Sequence, residues 1–479
     1  MRKTRIVATL GPATDDPATL RKAIAAGLDV ARFNFSHGTH EEQKKRIDGL
    51  REACAETGAT VALLADTKGP EIRLDVFENG KATLIAGKTF TLTANKVIGD
   101  SSRAGISYSR LPDEVSPGNR ILLDDGLIEL SVESVSATDI NTRILSGGEI
   151  SDRKGVNVPG VSLDIPYISA KDRLDLRFFV ENEFDFIAAS FVRSAADIRE
   201  IREELYRINS GNKIKIIAKI ENADGVNNSD SISEVSDGLM IARGDLGVEV
   251  AYEELPIIQK DLIRKAVDQG KPVITATQML ESMIHNPRPT RAETSDVANA
   301  IYDGTSAIML SGETAVGKYP VDAIASMAKI AERIERAIDY DQRFMRRRSK
   351  SDTSITNAIS LATVTTAHDL RTAAILTVSM SGNTAANVAK FRPICPIVAC
   401  TPDPIVQRQL KLVWGVAPLL TKKETDTATL FSNAVEAALE SGHINNGDLI
   451  VLTAGIPIGH SGNTNMLKVH VVGEKVLMP

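Results

Sequence analysis

Cysteine and histidine are too sparse here for the metal and redox frameworks that many enzymes use. Among 479 residues the three cysteines, Cys54, Cys395 and Cys400, lie too far apart for a disulfide framework or a zinc site. No two of the seven histidines fall at ligand spacing, which argues against a zinc enzyme. Basic charge is not in excess either: a net charge of -6 leaves no footprint for nucleic acid. The one basic cluster, Arg346–Lys350, is short and isolated and reads as a solvated linker. No segment approaches ~20 continuous apolar residues, so no membrane span is expected. The apolar run after the first basic residues is too short for a signal h-region and reads as a first strand, which predicts a cytoplasmic protein.

What is present is an ordinary globular composition, 43% hydrophobic and 25% charged, at a length that suggests roughly three domains. Short apolar runs alternate with amphipathic helical segments. The runs are Arg5–Leu10, Val30–Phe35, Val61–Ala65, Phe184–Phe191, Ile214–Ile220, Leu239–Ala242, Pro272–Ala276 and Ala307–Leu310. Near-continuous apolar character marks strands covered on both faces. Helices are expected at Glu42–Cys54, Ile257–Val267 and Pro320–Ile338 from their helical spacing of apolar residues. Eight such units are what a (β/α)8 barrel needs. A doubly wound sheet is the alternative, but polar residues after nearly every strand favour the barrel, whose chemistry sits at the strand C-termini.

The third and fourth strands are separated by Pro70–Ile168, where Leu84–Thr93 and Arg120–Val135 alternate apolar with polar and Asp124–Gly126 reads as a hairpin turn. This predicts a small antiparallel β-barrel domain inserted at the catalytic face, able to close over substrate. Beyond Lys350 a helix near Ile355–Leu370 and strands Ala374–Val378, Ile397–Ala399, Leu449–Leu452 and Val469–Val472 form a further α/β domain. The expected division is 1–69 and 169–345 for the barrel, 70–168 for the insert and 346–479 for the C-terminal domain.

The strongest chemical signal is K-I-K-I-I-A-K-I-E-N-A-D-G-V, Lys213–Val226. Residues two apart on a strand share a face, so Lys219 and Glu221 reach one pocket. Asp245 follows the next strand in Arg243-Gly244-Asp245. Mg²⁺ takes one or two protein carboxylates and completes its shell with water and substrate oxygens, a description that Glu221 and Asp245 fit. Lys219 is then free to neutralise a transferring phosphoryl group. Arg32, Asn34 and Ser36 share the inner face of strand two, with Phe33 and Phe35 outward. Asp66 and Thr67 beside Asn34 and Ser36 offer an all-oxygen nest for a monovalent cation, while Arg73 is placed to meet phosphate with a bidentate fork. Thr290 to Glu293 reads as a helix capping box. In the C-terminal domain, Ser379, Ser381, Gly382, Asn383 and Thr384 open a helix after a strand and read as an effector phosphate site.

Two patterns are decoys. Gly312 to Lys318 nearly matches a P-loop, but Tyr319 replaces the required Ser or Thr. Arg243-Gly244-Asp245 spells an adhesion tripeptide at a strand end, where it has no such role. A Schiff-base lysine would need an apolar pocket, whereas Glu221 keeps Lys219 charged. A non-catalytic metabolite sensor should have lost one of Lys219, Glu221, Asp245, Asp66 or Arg73, and all are present.

The entire chain resembles the pyruvate kinase family. The carrying motifs are Ile216–Val226, Arg32–Gly38, Asp66–Arg73, Met240–Gly247, Thr275–Leu280 and Asn286–Glu293, in that family's order. The resemblance implies transfer of the phosphoryl group of phosphoenolpyruvate to ADP, giving pyruvate and ATP in the final step of glycolysis, with Mg²⁺ (or Mn²⁺) and K⁺. It implies that Arg32 touches substrate, that Asn34, Ser36, Asp66 and Thr67 hold K⁺, and that Asn34, His37, Arg73 and Lys154 meet the nucleotide. Lys219 matches the transition-state stabiliser, and Glu221 and Asp245 match the Mg²⁺ ligands. Gly244, Asp245 and Thr277 border the substrate, with Thr277 also on the route of the proton that makes pyruvate. Glu71 matches members that need K⁺. A cytoplasmic homotetramer with a phosphorylated activator on the C-terminal domain is implied as well, with Gly459–Asn463 as the facing loop. Met380 and Asn383 stand where animal-type members place basic residues. The chain ends at Pro479, without the extra C-terminal domain that some bacterial relatives carry.

Overall fold

The structure, a computed structural model, describes residues 1–348, 353–424, 426–456 and 464–474. Eight parallel strands close into a barrel: β1 Arg5–Thr9, β2 Val30–Asn34, β3 Ala62–Asp66, β4 Phe186–Ala189, β5 Lys215–Ile220, β6 Gly238–Ala242, β7 Val273–Ala276 and β8 Ala307–Leu310. Each pairs with its neighbours in sequence, and β1 pairs with β8 through Arg5 to Ala307. Alternation along each strand sorts the side chains. Ile6, Ala8, Ala31 and Phe33 face outward to the helices, whereas Val7, Val30, Leu64, Phe186, Ile217, Met240, Ile274 and Met309 fill the interior. Leu412, from the C-terminal domain, joins that interior cluster. The apolar layer therefore fills the barrel, and polar inward residues follow at the strand C-termini.

The surrounding helices match their sequence signals. His40–Thr57 starts at a Thr39/Glu42 capping box, and Arg291–Asp303 starts at Thr290, whose hydroxyl accepts from the Glu293 N–H. Gly312–Ala315, where the P-loop decoy lies, is a single helical turn against β1.

The insert is a seven-stranded sheet with a separate two-stranded ladder, Lys81–Leu84 with Gly148–Ser151. One strand pair, Thr89–Thr93 with Arg103–Gly105, is parallel, which corrects the expectation of a wholly antiparallel sheet. The two edge strands meet. Leu74 bridges Ile106, flanked by Asp75 N–H to Gly105 O (2.9 Å) and Ser107 N–H to Arg73 O (2.8 Å), so the sheet closes on itself. Phe90, Leu92, Ile121, Leu130 and Ile140 form its own core. The Asp124–Gly126 turn is left-handed at all three residues.

The C-terminal domain has a five-stranded sheet: Val416–Leu420, Ile397–Thr401, Ala374–Val378, Leu449–Ala454 and, antiparallel, Met466–Val471. Val416–Leu420 was not expected. It carries Pro418, which is tolerated because this is an edge strand with one unpaired side. The basic cluster also differs from expectation. Arg346 to Arg348 form the last turn of a helix, Tyr340–Arg348, and Arg347 packs 3.3 Å from Asp268, so the segment is structured rather than a solvated linker. Ser349 and Lys350 lie outside the described residues.

Cations fasten this domain to the base of the barrel. Arg408 Nε meets the buried Asp185 carboxylate at 2.9 and 3.2 Å. Arg5 bonds the Val413 and Val416 carbonyls, and Lys411 lies 3.2 Å from Asp29. No described helix is long and apolar enough to cross a membrane.

Candidate functional site

The polar residues at the top of the barrel form one buried network. Lys219 is the second-last residue of β5 and points inward above Ile217. Its ammonium donates to Asp66 Oδ1 (2.9 Å) and Ser190 Oγ (2.8 Å) and lies 3.0 Å from Glu221 Oε1. Asp66 Oδ2 accepts from Arg32 Nε at 2.6 Å, and Arg32 Nη1 donates to Thr9 Oγ1 at 2.8 Å. Glu221 Oε2 accepts the Phe191 N–H at 2.6 Å. The strand ends thus bring Arg32, Asp66, Lys219 and Glu221 together.

Burial and mutual charge set the protonation states. Burial alone would lower the Lys219 pKa, but Asp66 and Glu221 outweigh it and hold the ammonium above its usual range. Burial would raise Asp66, yet Arg32 and Lys219 hold it below the ordinary carboxylate value. Glu221 goes the other way: burial, reinforced by Asp245 and Asp66, pushes it to about 7 in spite of Lys219. The site is short of positive charge at Glu221.

Asp245 sits in the first turn of Arg243–Glu249, the segment following β6, and among the described residues its carboxylate makes no hydrogen bond. It lines a cavity of about 480 Å³ that also touches Phe191, Arg73, Lys154 and His37. This cavity lies between the barrel mouth and the insert, whose Asp124 and Asp125 form part of the wall. Glu221 is one hydrogen bond behind that wall, through Phe191. An under-neutralised Glu221 with an unpartnered Asp245 in its electrostatic reach suits a divalent cation. No group of three or more metal-binding side chains occurs among the described residues, and Mg²⁺ does not need one.

The β7 end carries Thr277, whose φ of 68° is left-handed, as is that of Gln278 at 54°. Thr277 Oγ1 accepts the Gly244 N–H at 2.8 Å, which ties the β6 and β7 loops together. Arg243 was given no role of its own in the sequence. Buried, it donates to Thr277 O (2.7 Å), Gln278 O (3.3 Å) and Asp296 (2.8 Å), holding that strained turn.

In the oxygen nest, Asn34 Oδ1 accepts the Ser36 N–H at 3.0 Å and Thr67 Oγ1 accepts the Ser190 N–H at 3.1 Å. Asp66, its only charged member, is shared with Arg32 and Lys219. The Arg73 fork is not open to phosphate here: Glu71 accepts both of its N–H groups, at 2.7 and 2.8 Å. Lys154 pairs with Asp124 at 2.8 Å. The residues expected to hold an effector phosphate lie in the C-terminal domain, away from this network. Gly382 donates to Ser379 Oγ at 3.0 Å, and the buried Thr384 hydroxyl meets Thr464 at 3.0 Å. Gly459–Asn463 falls outside the described residues.

Sequence reasoning missed Thr9, the inward polar residue that ends β1, and Ser190, the one that follows β4. The same signal, a hydroxyl directly after an apolar run, was present in A-A-S-F-V-R.

Comparison with known proteins agrees with this geometry. Residues 1–324 match the family model for the pyruvate kinase barrel domain, and residues 357–470 match the model for its alpha/beta domain. The chain belongs to the pyruvate kinase family. It is 52% identical over 475 residues to a pyruvate kinase of Geobacillus stearothermophilus and 49% identical over 476 residues to one of Sporosarcina psychrophila. In each case 99% of this chain aligns with 81% of the relative. The crystal structure of a pyruvate kinase from Cryptosporidium parvum superposes with a TM-score of 0.93 at 40% identity, covering 98% of this chain and 96% of the other. Family membership makes the chain a phosphotransferase.

Proposed function

We propose that the chain transfers the phosphoryl group of phosphoenolpyruvate to ADP, giving pyruvate and ATP as the last step of glycolysis in the cytoplasm. The observation that carries this is the Lys219 ammonium, held charged among Asp66, Ser190 and Glu221 and one residue layer from a cavity large enough for a nucleotide. Arg32 and Lys219 bind and orient the phosphoryl donor. The Gly244 and Thr277 turn seats its carboxylate, and Thr277 Oγ1 lies where a proton is passed to the enolate. His37, Asn34, Arg73 and Lys154 border the ADP subsite, Arg73 exchanging Glu71 for phosphate. A Mg²⁺ or Mn²⁺ ion held by Glu221 and Asp245 would supply the positive charge that this corner lacks. Asn34, Ser36, Asp66 and Thr67 are the oxygen donors for K⁺, and Glu71 goes with the K⁺ requirement.

The expected assembly is a homotetramer, and the Ser379, Ser381, Gly382, Asn383, Thr384 turn is the candidate seat for a phosphorylated activator. The test is pyruvate formation from phosphoenolpyruvate and ADP with Mg²⁺, run in parallel with K⁺ and with Na⁺. Turnover that collapses in Na⁺ is the expected result. Activity indifferent to K⁺ would remove the cation assignment, and no activity in either salt, with sugar phosphates or AMP added, would remove the reaction.

A further inference from the structure

We infer that Ser190 is a positioning residue for Lys219, held in place by Tyr167 at the return from the inserted domain. The inference rests on the reading of Lys219 as the phosphoryl-stabilising cation.

An ammonium has three N–H donors, and three acceptors surround this one: Asp66, Glu221 and Ser190. Two are carboxylates that would hold the charge for themselves. Ser190 alone is neutral, so it fixes direction without neutralising the cation. Its single hydroxyl proton has two neighbours, Thr67 O at 2.6 Å and Asp66 Oδ1 at 3.1 Å. Donation to the nearer Thr67 carbonyl leaves a lone pair for Lys219. Without Ser190 the ammonium has only carboxylates to follow, and it settles toward Asp66 and Glu221 and away from the phosphoryl group.

The Ser190 turn is clamped on every side. Its N–H goes to Thr67 Oγ1 at 3.1 Å and its carbonyl accepts the buried Tyr167 hydroxyl at 2.8 Å. Gly69 packs so closely that a Cβ there would lie 2.8 Å from Ser190 O and 2.9 Å from Ser190 Cβ. The next residue, Phe191, has φ of 53°, a conformation that bulky residues avoid, and in it the Phe191 N–H points to Glu221. One turn thereby serves both members of the catalytic pair: Lys219 by a side chain and Glu221 by the backbone. Tyr167 precedes the helix Ala170–Glu181, where the chain returns from the insert. It joins the insert's base to this turn.

The experiment compares wild type, Ser190→Ala and Tyr167→Phe at saturating K⁺ and Mg²⁺. Activity of the wild type tests the reaction itself, separately from this inference. For Ser190→Ala, kcat is expected to fall 10- to 100-fold, the effect of a group displaced by about 1 Å. The phosphoenolpyruvate KM should change less than threefold. The Mn²⁺ dissociation constant, read by water-proton relaxation, should stay within twofold because Glu221 keeps its backbone donor. Tyr167→Phe should lower kcat three- to tenfold with the same pattern. A Ser190→Ala kcat within twofold of wild type overturns the inference. So does a loss matched by equal rises in KM and in the Mn²⁺ constant, which marks a merely structural role. If Ser190→Ala does not fold, Tyr167→Phe decides, and an unchanged kcat there overturns it.

Discussion

Replacing Lys219 by Met tests the centre of the argument. Met keeps much of the length and apolar volume but removes three contacts of 2.8–3.0 Å and one buried charge. Losing one preorganised donor to a developing anion costs roughly 10²–10³ in kcat, about 3–4 kcal/mol. Two further effects follow from the network. Asp66 keeps Arg32 at 2.6 Å and stays ionised. Glu221 loses the one cation that opposes its burial, so its pKa climbs above the present value of about 7 and protons compete with metal at neutral pH. The variant should therefore show a kcat reduced at least 100-fold at saturating Mg²⁺, with phosphoenolpyruvate KM changed much less. Its Mn²⁺ affinity should weaken more at pH 6.5 than at pH 8.5. The assay is coupled pyruvate formation, with Mn²⁺ titrations at both pH values. A kcat within threefold of wild type would refute the role given to Lys219. Unaltered pH dependence of metal binding would refute the electrostatic account of Glu221.

Asp245→Asn removes the unpartnered carboxylate while keeping its shape, and should raise the Mg²⁺ concentration for half-maximal activity at least tenfold with little change in melting temperature. An unchanged Mg²⁺ requirement would take Asp245 out of the metal site. At the base of the barrel, Arg408→Ala strips the partner from the buried Asp185, whose pKa burial has already raised to about 6. Removing one member of such a buried pair costs roughly 3–5 kcal/mol, and chemical denaturation should show this loss at pH 8 and less of it at pH 5, where Asp185 can take a proton. Asp29 behaves oppositely. Burial would raise it, but Arg2, Lys411 and Arg5 lower it to about 2. A carboxylate lowered on folding stabilises above its unfolded value near 4 and loses that contribution as pH falls toward 2. That is about 2–3 kcal/mol by linkage. Asp29→Asn should flatten the acid limb of the stability curve over this range, and an unaltered limb would refute the assignment.

The barrel was legible because its strands are covered on both faces and end in residues that have no business in an apolar interior. Lys219, Glu221, Arg32 and Asp66 follow from alternation alone. The fourth strand is shorter than its apolar run. Phe184–Phe191 reads as one apolar run, yet only Phe186–Ala189 is strand. Phe184 packs outward with its ring centroid 5.6 Å from that of Phe33, and Phe191 turns left-handed toward Glu221. Apolar character recorded burial at Phe184 and the cavity wall at Phe191, but not which element each belongs to. Ser190 was lost inside that run for the same reason. Val416–Leu420 was hidden by Pro418, a residue that speaks against a central strand and says nothing against an edge.

Which partner a charged side chain takes left no signal in the sequence. Arg73 illustrates the consequence. Its sequence setting predicted a fork waiting for phosphate, and the fork is present, but Glu71 fills it at 2.7 and 2.8 Å. Both residues lie where the chain enters the insert, and both line the cavity with Lys154 and Asp124, themselves paired at 2.8 Å. Each cation proposed to meet a nucleotide phosphate is thus paired with a carboxylate. Such pairs keep the guanidinium and ammonium oriented in a partly open cleft, where an exposed ion pair contributes little stability. Exchanging a carboxylate for a phosphate then costs little, because the charge-assisted bonds lost are replaced in kind. A nucleotide that lacks the exchange-ready phosphates gains nothing from these two cations. Glu71→Gln should accordingly loosen Arg73 and raise the ADP KM severalfold while leaving the phosphoenolpyruvate KM unchanged. An equal rise in both constants would show that Glu71 acts on the barrel site rather than on the nucleotide side.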